Sequence, residues 1–472
     1  MEKRQGHKRW RLAEVLAATG GRLASGPRDA AFCSVSTDSR SIGAGDLFVA
    51  LRGDNFDGEK FCHDAVRRGA AGVVVTREPE SALDVPVVVV ADALQALGDL
   101  AAYRRAAMKG LLVIAITGSS GKTTVKEMTA AIFERKRRII KTLGNLNNLI
   151  GLPLSLLPVE NNHQAAILEM GMNQPGEIAR MTGIADPDIG LINNVQAAHL
   201  QGLSTIEGVA RAKGELFAGI RPDGILVLNL EDPLVRAMAR QYKQQQISYG
   251  FRREALVRGT YIINRGEKGI SFTLQIGPDK ERVRMKCVGR HNVLNGLAAA
   301  AVAHAAGISI KDICRGLAAF TSYDKRLQIE EAAKGLRVVN DTYNANPASM
   351  LAALETVRDL KREHRSVAVL GDMLELGEES VAAHRLIGSS AAGLGYDFLL
   401  AAGSFAEEMA QGARKAGMQK NQAIFFTEKD ELVEHLLGLV EHGELGRGDW
   451  LLVKGSRGMK METVVAALKE DF

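Results

Sequence analysis

The chain has 472 residues, 46% of them hydrophobic and 24% charged, with a net charge of +5. That is too long for one ordinary core and predicts roughly three units of about 150 residues, with the composition of a soluble globular protein. The modest charge suits anionic small-molecule substrates; with no long Lys/Arg block and no window of 18 uninterrupted apolar residues, nucleic-acid and membrane classes are not indicated.

In chain order, MEKRQGHKRW is charged and no apolar stretch follows it, so it does not read as a secretion signal. Cys33, Cys62, Cys287 and Cys314 lie far apart without a C-x-x-C pair, which argues against a zinc site or a disulfide framework. A reducing compartment, and so the cytoplasm, is the expectation. Residues 1–108 mix helices and strands: RLAEVLAATGG closes on glycine, DLFVAL and VPVVVVAD read as strands, and KFCHDAVRRGAAGVVV as a helix running into a strand. ALQALGDLAAYRRAAM is an amphipathic helix leading out of this unit.

Residues 109–320 change to strand-then-helix repeats. LLVIAIT, AAILEMG, IGLINNV and GILVLNL are apolar runs of the kind that form buried parallel strands, so a doubly wound α/β sheet is expected. From about 256 to 288 period-two alternation predicts antiparallel hairpins appended to it, and NVLNGLAAAAVAHAAG a helix with a glycine stop. The run Arg135-Lys136-Arg137-Arg138 reads as a solvated helix terminus. Residues 321–472 form a third α/β unit with strands LRVVND, SVAVLGD, DFLLAAG and DWLLVKGS.

The chemistry concentrates behind LLVIAIT. Thr117-Gly118-Ser119-Ser120-Gly121-Lys122-Thr123-Thr124 is a phosphate-binding loop shorter than G-x-x-x-x-G-K-[ST], with Ile116 where that pattern has its first glycine. Glycines let backbone N–H groups turn onto phosphate oxygens, the following helix adds its N-terminal dipole, Lys122 a point charge, and the Thr123 hydroxyl a ligand for Mg²⁺. Glu169, ending AAILEMG, is a second oxygen ligand at the sheet edge where ligands bind, or else a carboxylate facing solvent. HLQGLSTIEGVARAKGELFAGI reads as one helix with Ile206, Val209, Lys213, Leu216 and Ile220 on a single stripe. A lysine on an apolar stripe either snorkels out or has a lowered pKa and reacts with CO₂, becoming an anionic carbamate ligand. His199, just before it, is a structural histidine or a further ligand.

Together TGSSGKTT, LEMG, NVQAAHL and RAKGELF resemble the Mur ligase superfamily, ATP-dependent amide-forming enzymes of cell-wall synthesis related to folylpolyglutamate synthase. The resemblance runs the length of the chain and implies three domains: a mixed α/β UDP-binding domain, a central ATPase-like doubly wound sheet, and a Rossmann-like C-terminal domain. It implies ATP as nucleotide and two Mg²⁺ ions, with Thr123, Glu169, His199 and a carbamylated Lys213 as ligands. GNLNNLIGLP looks like an asparagine segment near the nucleotide. GRHNVLNGLAAAA supplies Asn295 to adenine, and Arg326 and Asp341 reach ATP when the domains close.

DTYNANPASM is similar to the signature of the branch that adds D-alanyl-D-alanine to a UDP-MurNAc-tripeptide, with Tyr343, Asn344 and Asn346 as dipeptide contacts. STDSRSIGAGDLFVALRGDNFDG looks like a UDP-binding segment, offering Ser36, Asp38, Ser39 and Arg40 to the diphosphate or uracil; taken alone, STDSR is equally a polar turn. The family commonly has Gly-Arg where this chain has Lys325-Arg326, which leaves the turn there open. A monomer is expected. The competing readings are a related ligase adding one amino acid, against which YNANP speaks, and a nucleotide-dependent switch, for which an N/T-K-x-D motif is missing.

Overall fold

The computed structural model describes residues 9–53, 56–197, 200–203 and 205–470. Three large sheets follow one another along the chain. The first has five strands in the order Arg22–Ser25, Val87–Val89, Gly72–Val75, Leu47–Val49, Val35–Ser36, parallel except for the first pair.

The central sheet has nine strands. Seven are parallel, in the order Ile139–Lys141, Ala165–Glu169, Leu112–Thr117, Ile189–Ile192, Ile225–Asn229, Gln245–Gly250, Val257–Asn264; Ile270–Ile276 and Asp279–Met285 then add an antiparallel meander. The apolar runs are buried on both faces, as parallel strands flanked by helices must be. The third sheet has six strands in the order Gln328–Glu331, Arg337–Asp341, Trp450–Lys454, Ser366–Gly371, Phe398–Ala402, Ala423–Phe426, antiparallel only at its first pair.

Two helices depart from their sequence reading. Leu200–Leu203 and Ile206–Gly219 are separate, because Thr205 adopts an extended conformation and its hydroxyl accepts from Gly208 N at 3.1 Å as an N-cap. Ile220 lies beyond the second helix as its extended C-cap, yet stays buried. The helix after the phosphate loop ends at Phe133, so the basic run falls outside it. That run is not simply solvated: Arg137 donates to Ala306 O at 3.0 Å and Lys136 pairs with Asp312.

The cores show how the units are joined. One apolar cluster runs from Trp10, Val15 and Val88 through Leu97, Leu100 and Ala101 to Leu168, Met181 and Leu216. The helix Ala93–Ala106 is therefore shared between the first and central units. Its Arg105 is buried and donates to Ala185 O at 3.0 Å and Asp186 O at 2.9 Å, satisfying the carbonyl end of Glu177–Ala185. The C-terminal sheet instead has its own two clusters, in which Val288 is the one contribution from upstream of residue 320.

Candidate functional site

The parallel register sets the site. Ile116 lies opposite Glu169 and Thr117 opposite Ile192, so the loop that follows Thr117 emerges beside Glu169 and beneath Asn193. Gly121 caps the helix Lys122–Phe133 with φ +76°, and a Cβ there would stand 2.6 Å from Asn295 Oδ1 and 2.7 Å from Asn193 Nδ2. Only glycine fits.

The loop is held from behind by groups to which sequence reading gave no role: Asn193, and Asn194 and Gln196 of the NVQAAHL segment. Asn193 N donates to Thr117 O at 2.9 Å, and its Nδ2 to Ser120 O at 3.0 Å and to Asn295 Oδ1 at 3.3 Å. Ser119 N donates to Asn194 O at 3.0 Å and Ser120 N to Asn194 Oδ1 at 2.9 Å. The Ser119 and Ser120 hydroxyls donate to Gln196 O and Oε1 at 3.1 and 2.8 Å. The Thr117 hydroxyl donates to Met170 O at 2.8 Å. Asn193, Asn194 and Gln196 lie about 75 residues downstream of the loop, and their bracing role shows only in their spatial return to it.

Asn295 is buried behind the loop, with Oδ1 on Asn193 and Nδ2 donating to Asn292 Oδ1 at 3.0 Å. Thr124 is half-buried in the first helical turn. Lys122 folds back, its Nζ donating to Gly118 O at 2.8 Å. Burial moves its pKa down; Glu169 opposes that shift and Arg326 adds to it.

Glu169 is 2% exposed. Its Oε1 accepts from Asn147 Nδ2 at 2.8 Å, from the asparagine segment, while Oε2 is buried with no hydrogen-bond partner; Lys126 Nζ is 4.0 Å away. A buried carboxylate oxygen left unpaired is costly, and a cation is the natural complement. Among the described residues no group of three His, Cys, Asp or Glu side chains is placed to hold a metal. A hard ion bound by one carboxylate, one hydroxyl and substrate phosphates therefore fits these donors, as Mg²⁺ does, and a caged transition metal does not.

Lys213 is buried, and no carboxylate among the described residues pairs with it. Its pKa lies well below the ordinary lysine value because burial disfavours the ammonium and Lys122 is a like charge nearby. The stem does not snorkel to water. His199 lies outside the described residues.

The C-terminal unit reaches this centre through Arg326. Its Nη2 donates to the Thr123 hydroxyl at 2.9 Å, its guanidinium lies 4.1 Å from the Tyr343 ring centroid, and its Nε is buried without a partner. Lys325 takes φ +58°, which is the turn that the Lys-Arg pair left open. Asp341 Oδ2 pairs with the buried Lys454 at 2.6 Å and its Oδ1 accepts from Leu327 N at 3.2 Å. Lys454, from LLVKGS, also donates to Asn344 O at 2.7 Å; as a lone lysine at a strand end it gave no signal of its own.

Asn344 Oδ1 accepts from Arg457 N at 3.3 Å. Asn346 caps Pro347–Lys361, its Oδ1 accepting from Ser349 N at 2.8 Å. In the first unit, Asp38 and Arg40 form a 2.8 Å ion pair, Arg40 N also donates to Asp38 Oδ1, and Ser36 bonds the same turn; Ser39 is buried. The Arg40 guanidinium holds the Asp38 carboxyl down at about 2. STDSR is thus a self-bonded polar turn about 80 residues upstream of the loop.

Family models match along the chain: the Mur ligase family catalytic domain over 32–105, the Mur ligase middle domain over 116–303, and the Mur ligase glutamate ligase domain over 325–457. The chain belongs to the Mur ligase family. The UDP-N-acetylmuramoyl-tripeptide–D-alanyl-D-alanine ligases of Escherichia coli and Bacillus subtilis are 36% and 35% identical to this Mur ligase, covering 93% of it and 94% and 93% of themselves. A crystal structure of MurF from Acinetobacter baumannii superposes with a TM-score of 0.91 at 34% identity, over 98% of this chain and 99% of that one. MurF from Thermotoga maritima in complex with ADP gives 0.80 at 26%, over 92% and 96%. Like other Mur ligases, the chain is an ATP-dependent ligase with a three-domain α/β fold.

Proposed function

We propose that the chain joins D-alanyl-D-alanine to UDP-MurNAc-tripeptide, consuming ATP and releasing ADP, phosphate and UDP-MurNAc-pentapeptide, a step of peptidoglycan precursor synthesis in the cytoplasm. The observation that carries the reading is the Arg326–Thr123 hydrogen bond, which brings the DTYNANP segment against the phosphate loop. The units 1–108, 109–320 and 321–472 would take the UDP-sugar, ATP and the dipeptide respectively.

A carboxylate must be activated before an amine can displace oxygen from it. The tripeptide carboxylate attacks the γ-phosphorus, ADP leaves, and an acyl phosphate forms. The dipeptide amine then adds to the acyl carbon, loses a proton, and phosphate departs. The protein's work is positioning and charge neutralisation. Backbone N–H groups of 121–123 and Lys122 take the phosphates, while those of Ser119 and Ser120 stay on Asn194, and Arg326, with an unpartnered Nε, meets the transferring group from the other side. Asn295 and Asp341 serve the nucleoside. Ser36, Asp38, Ser39 and Arg40 hold the UDP part; Tyr343, Asn344 and Asn346 line the dipeptide. Apposition of Arg326 and Tyr343 excludes water that would hydrolyse the acyl phosphate.

Thr123 and Glu169 would hold one Mg²⁺, and His199 with carbamylated Lys213 a second. Bound there, the ions offset the repulsion between γ-phosphate and the incoming carboxylate. The buried Lys213 supports its part: a lowered pKa leaves a neutral amine, which adds CO₂ with loss of one proton.

The test is ADP release from ATP with UDP-MurNAc-tripeptide, with D-Ala-D-Ala or single amino acids as acceptor. Release needing both the nucleotide peptide and the dipeptide is expected; release with one amino acid would move the chain to a neighbouring branch. Lys213→Ala should lose turnover while still binding a non-hydrolysable ATP analogue. A carbamate ¹³C resonance in protein equilibrated with ¹³C-bicarbonate should vanish with it; full activity of Lys213→Ala would sink the carbamate.

A further inference from the structure

Arg326 stands between two residues bent into the left-handed region, Lys325 at φ +58° and Leu327 at φ +46°. Residues with a Cβ enter that region at a cost, so the surrounding fold has to hold the turn. Four holds are local: Tyr343 N donates to Lys325 O at 3.2 Å, Leu327 N to Asp341 Oδ1 at 3.2 Å, Arg326 N to Tyr323 O at 3.1 Å and Lys325 N to Gln328 Oε1 at 3.3 Å. A further one, the only one of these made by the Lys325 side chain, comes from the far end of the chain. Lys325 Nζ pairs with Glu462 Oε1 at 3.1 Å, across 137 residues, at the first position of the helix Glu462–Glu470.

The same carboxylate oxygen receives Arg457 Nη1 at 2.7 Å, and the Arg457 backbone N–H donates to Asn344 Oδ1 at 3.3 Å. Glu462 thus touches the turn that presents Arg326 to Thr123 directly, and reaches the loop around Asn344 only through Arg457. Its side chain is 22% exposed and that of Lys325 27%, so solvent screens the pair less than an open surface pair. The Lys325 and Glu462 side chains bond each other and Arg457 rather than Thr123 or the phosphate loop, so any effect on chemistry passes through the geometry of Arg326 and Asn344.

We propose that Glu462 is a positioning residue that holds the strained Lys325–Leu327 turn so that Arg326 reaches the phosphate loop, and ties that hold through Arg457 to Asn344. One carboxylate then sets the cleft toward both the nucleoside triphosphate and the dipeptide. Which ligands occupy the two sides rests on the ligase reading; the hold on Arg326 does not. The arrangement makes the two sides separable at the level of side chains, because the Lys325 ammonium bonds Glu462 while Glu462 also bonds Arg457 on the Asn344 side.

The experiment compares Glu462→Gln, Lys325→Gly and Lys325→Arg with the unaltered full chain. Glu462→Gln is expected to raise KM for ATP and for D-Ala-D-Ala by about three- to tenfold each, the range of a partly buried ion pair, leaving KM for the UDP-sugar peptide unchanged. Lys325→Gly relaxes the turn but removes the pair, so it should raise KM for ATP and spare the dipeptide; Lys325→Arg should restore both. Titration with Mg²⁺ and a non-hydrolysable ATP analogue needs no turnover and should show the same weakening in Glu462→Gln. If the unaltered chain releases no ADP, the ligase reading fails, and the titration still decides the hold on Arg326. Unchanged analogue binding in Glu462→Gln overturns the proposal, as does a lowered melting temperature with a uniform loss of kcat and no KM change.

Discussion

The central sheet is joined to its two neighbours by different physics. Toward the N-terminus the joint is apolar: Leu97, Leu100 and Ala101 belong to a core that continues into both units, and Arg105 and the 2.6 Å pair Arg180–Asp99 close its edge. Toward the C-terminus the joint is mainly polar: Arg326 on Thr123, Arg337 with Glu267 at 3.4 Å, and Gln201 N on Glu375 O at 3.4 Å. A shared core cannot be parted without exposing apolar surface, whereas hydrogen bonds exchange with water at small net cost. The contrast predicts a fixed platform in the N-terminal unit and, in the C-terminal unit, the part able to open over the phosphate loop.

Breaking the apolar joint should have the largest effect on stability. Leu100→Ala should cost about 2–5 kcal/mol and, in calorimetry, lower one transition shared by the first and central units while leaving a C-terminal transition in place. Two transitions that separate the first unit from the central one would break the comparison. Arg326→Ala addresses the polar joint where it meets the substrate. It should lower kcat by about 10²-fold, the range for losing one preorganised charged donor, with little change in melting temperature. A large stability loss would show that the joint is a core contact in disguise.

The polar joint should also be the acid-sensitive one. His291, at the start of the helix Arg290–Ala305, is held down at about 4 by burial, with Asp341 opposing and Lys454 assisting the shift. The unfolded chain, titrating near 6.5, then binds more protons than the folded one between those values. His291 should therefore make the fold lose stability as pH falls from about 6.5 to about 4, with no contribution to the slope above that window. Melting temperatures across the window should fall less steeply in His291→Gln; parallel curves would remove His291 from the account. The smallest effect belongs to the Arg337–Glu267 pair: Glu267→Gln, which leaves the Arg337–Glu331 pair in place, should change stability by about 0–1 kcal/mol, measured by chemical denaturation, and a larger loss would mean that the hairpin is anchored more firmly than one ion pair allows.

Much of this was legible in the chain. Continuous apolar runs announced the parallel strands, because strands buried on both faces cannot alternate. The compressed loop announced the phosphate site, because its glycine geometry is local. Where reading failed, a local competitor had been overlooked: the Thr205 hydroxyl splits one expected helix into two, and the basic run after Phe133 finds partners on another helix. Asn346, expected at the dipeptide, also caps the helix Pro347–Lys361 with its side-chain oxygen, a local role that the resemblance did not announce.

By itself the sequence determined the order of units, the loop, and the residue types able to serve phosphate and metal, since these depend on neighbours within a few positions. Only the tertiary structure decided that Asn193, Asn194 and Gln196 brace the loop, that Lys213 is shut away from water, that Glu169 Oε2 lacks a partner, and that Glu462 reaches back to Lys325. Burial and hydrogen-bond satisfaction are set by what the chain brings back from far along its length, and residue spacing does not encode that return.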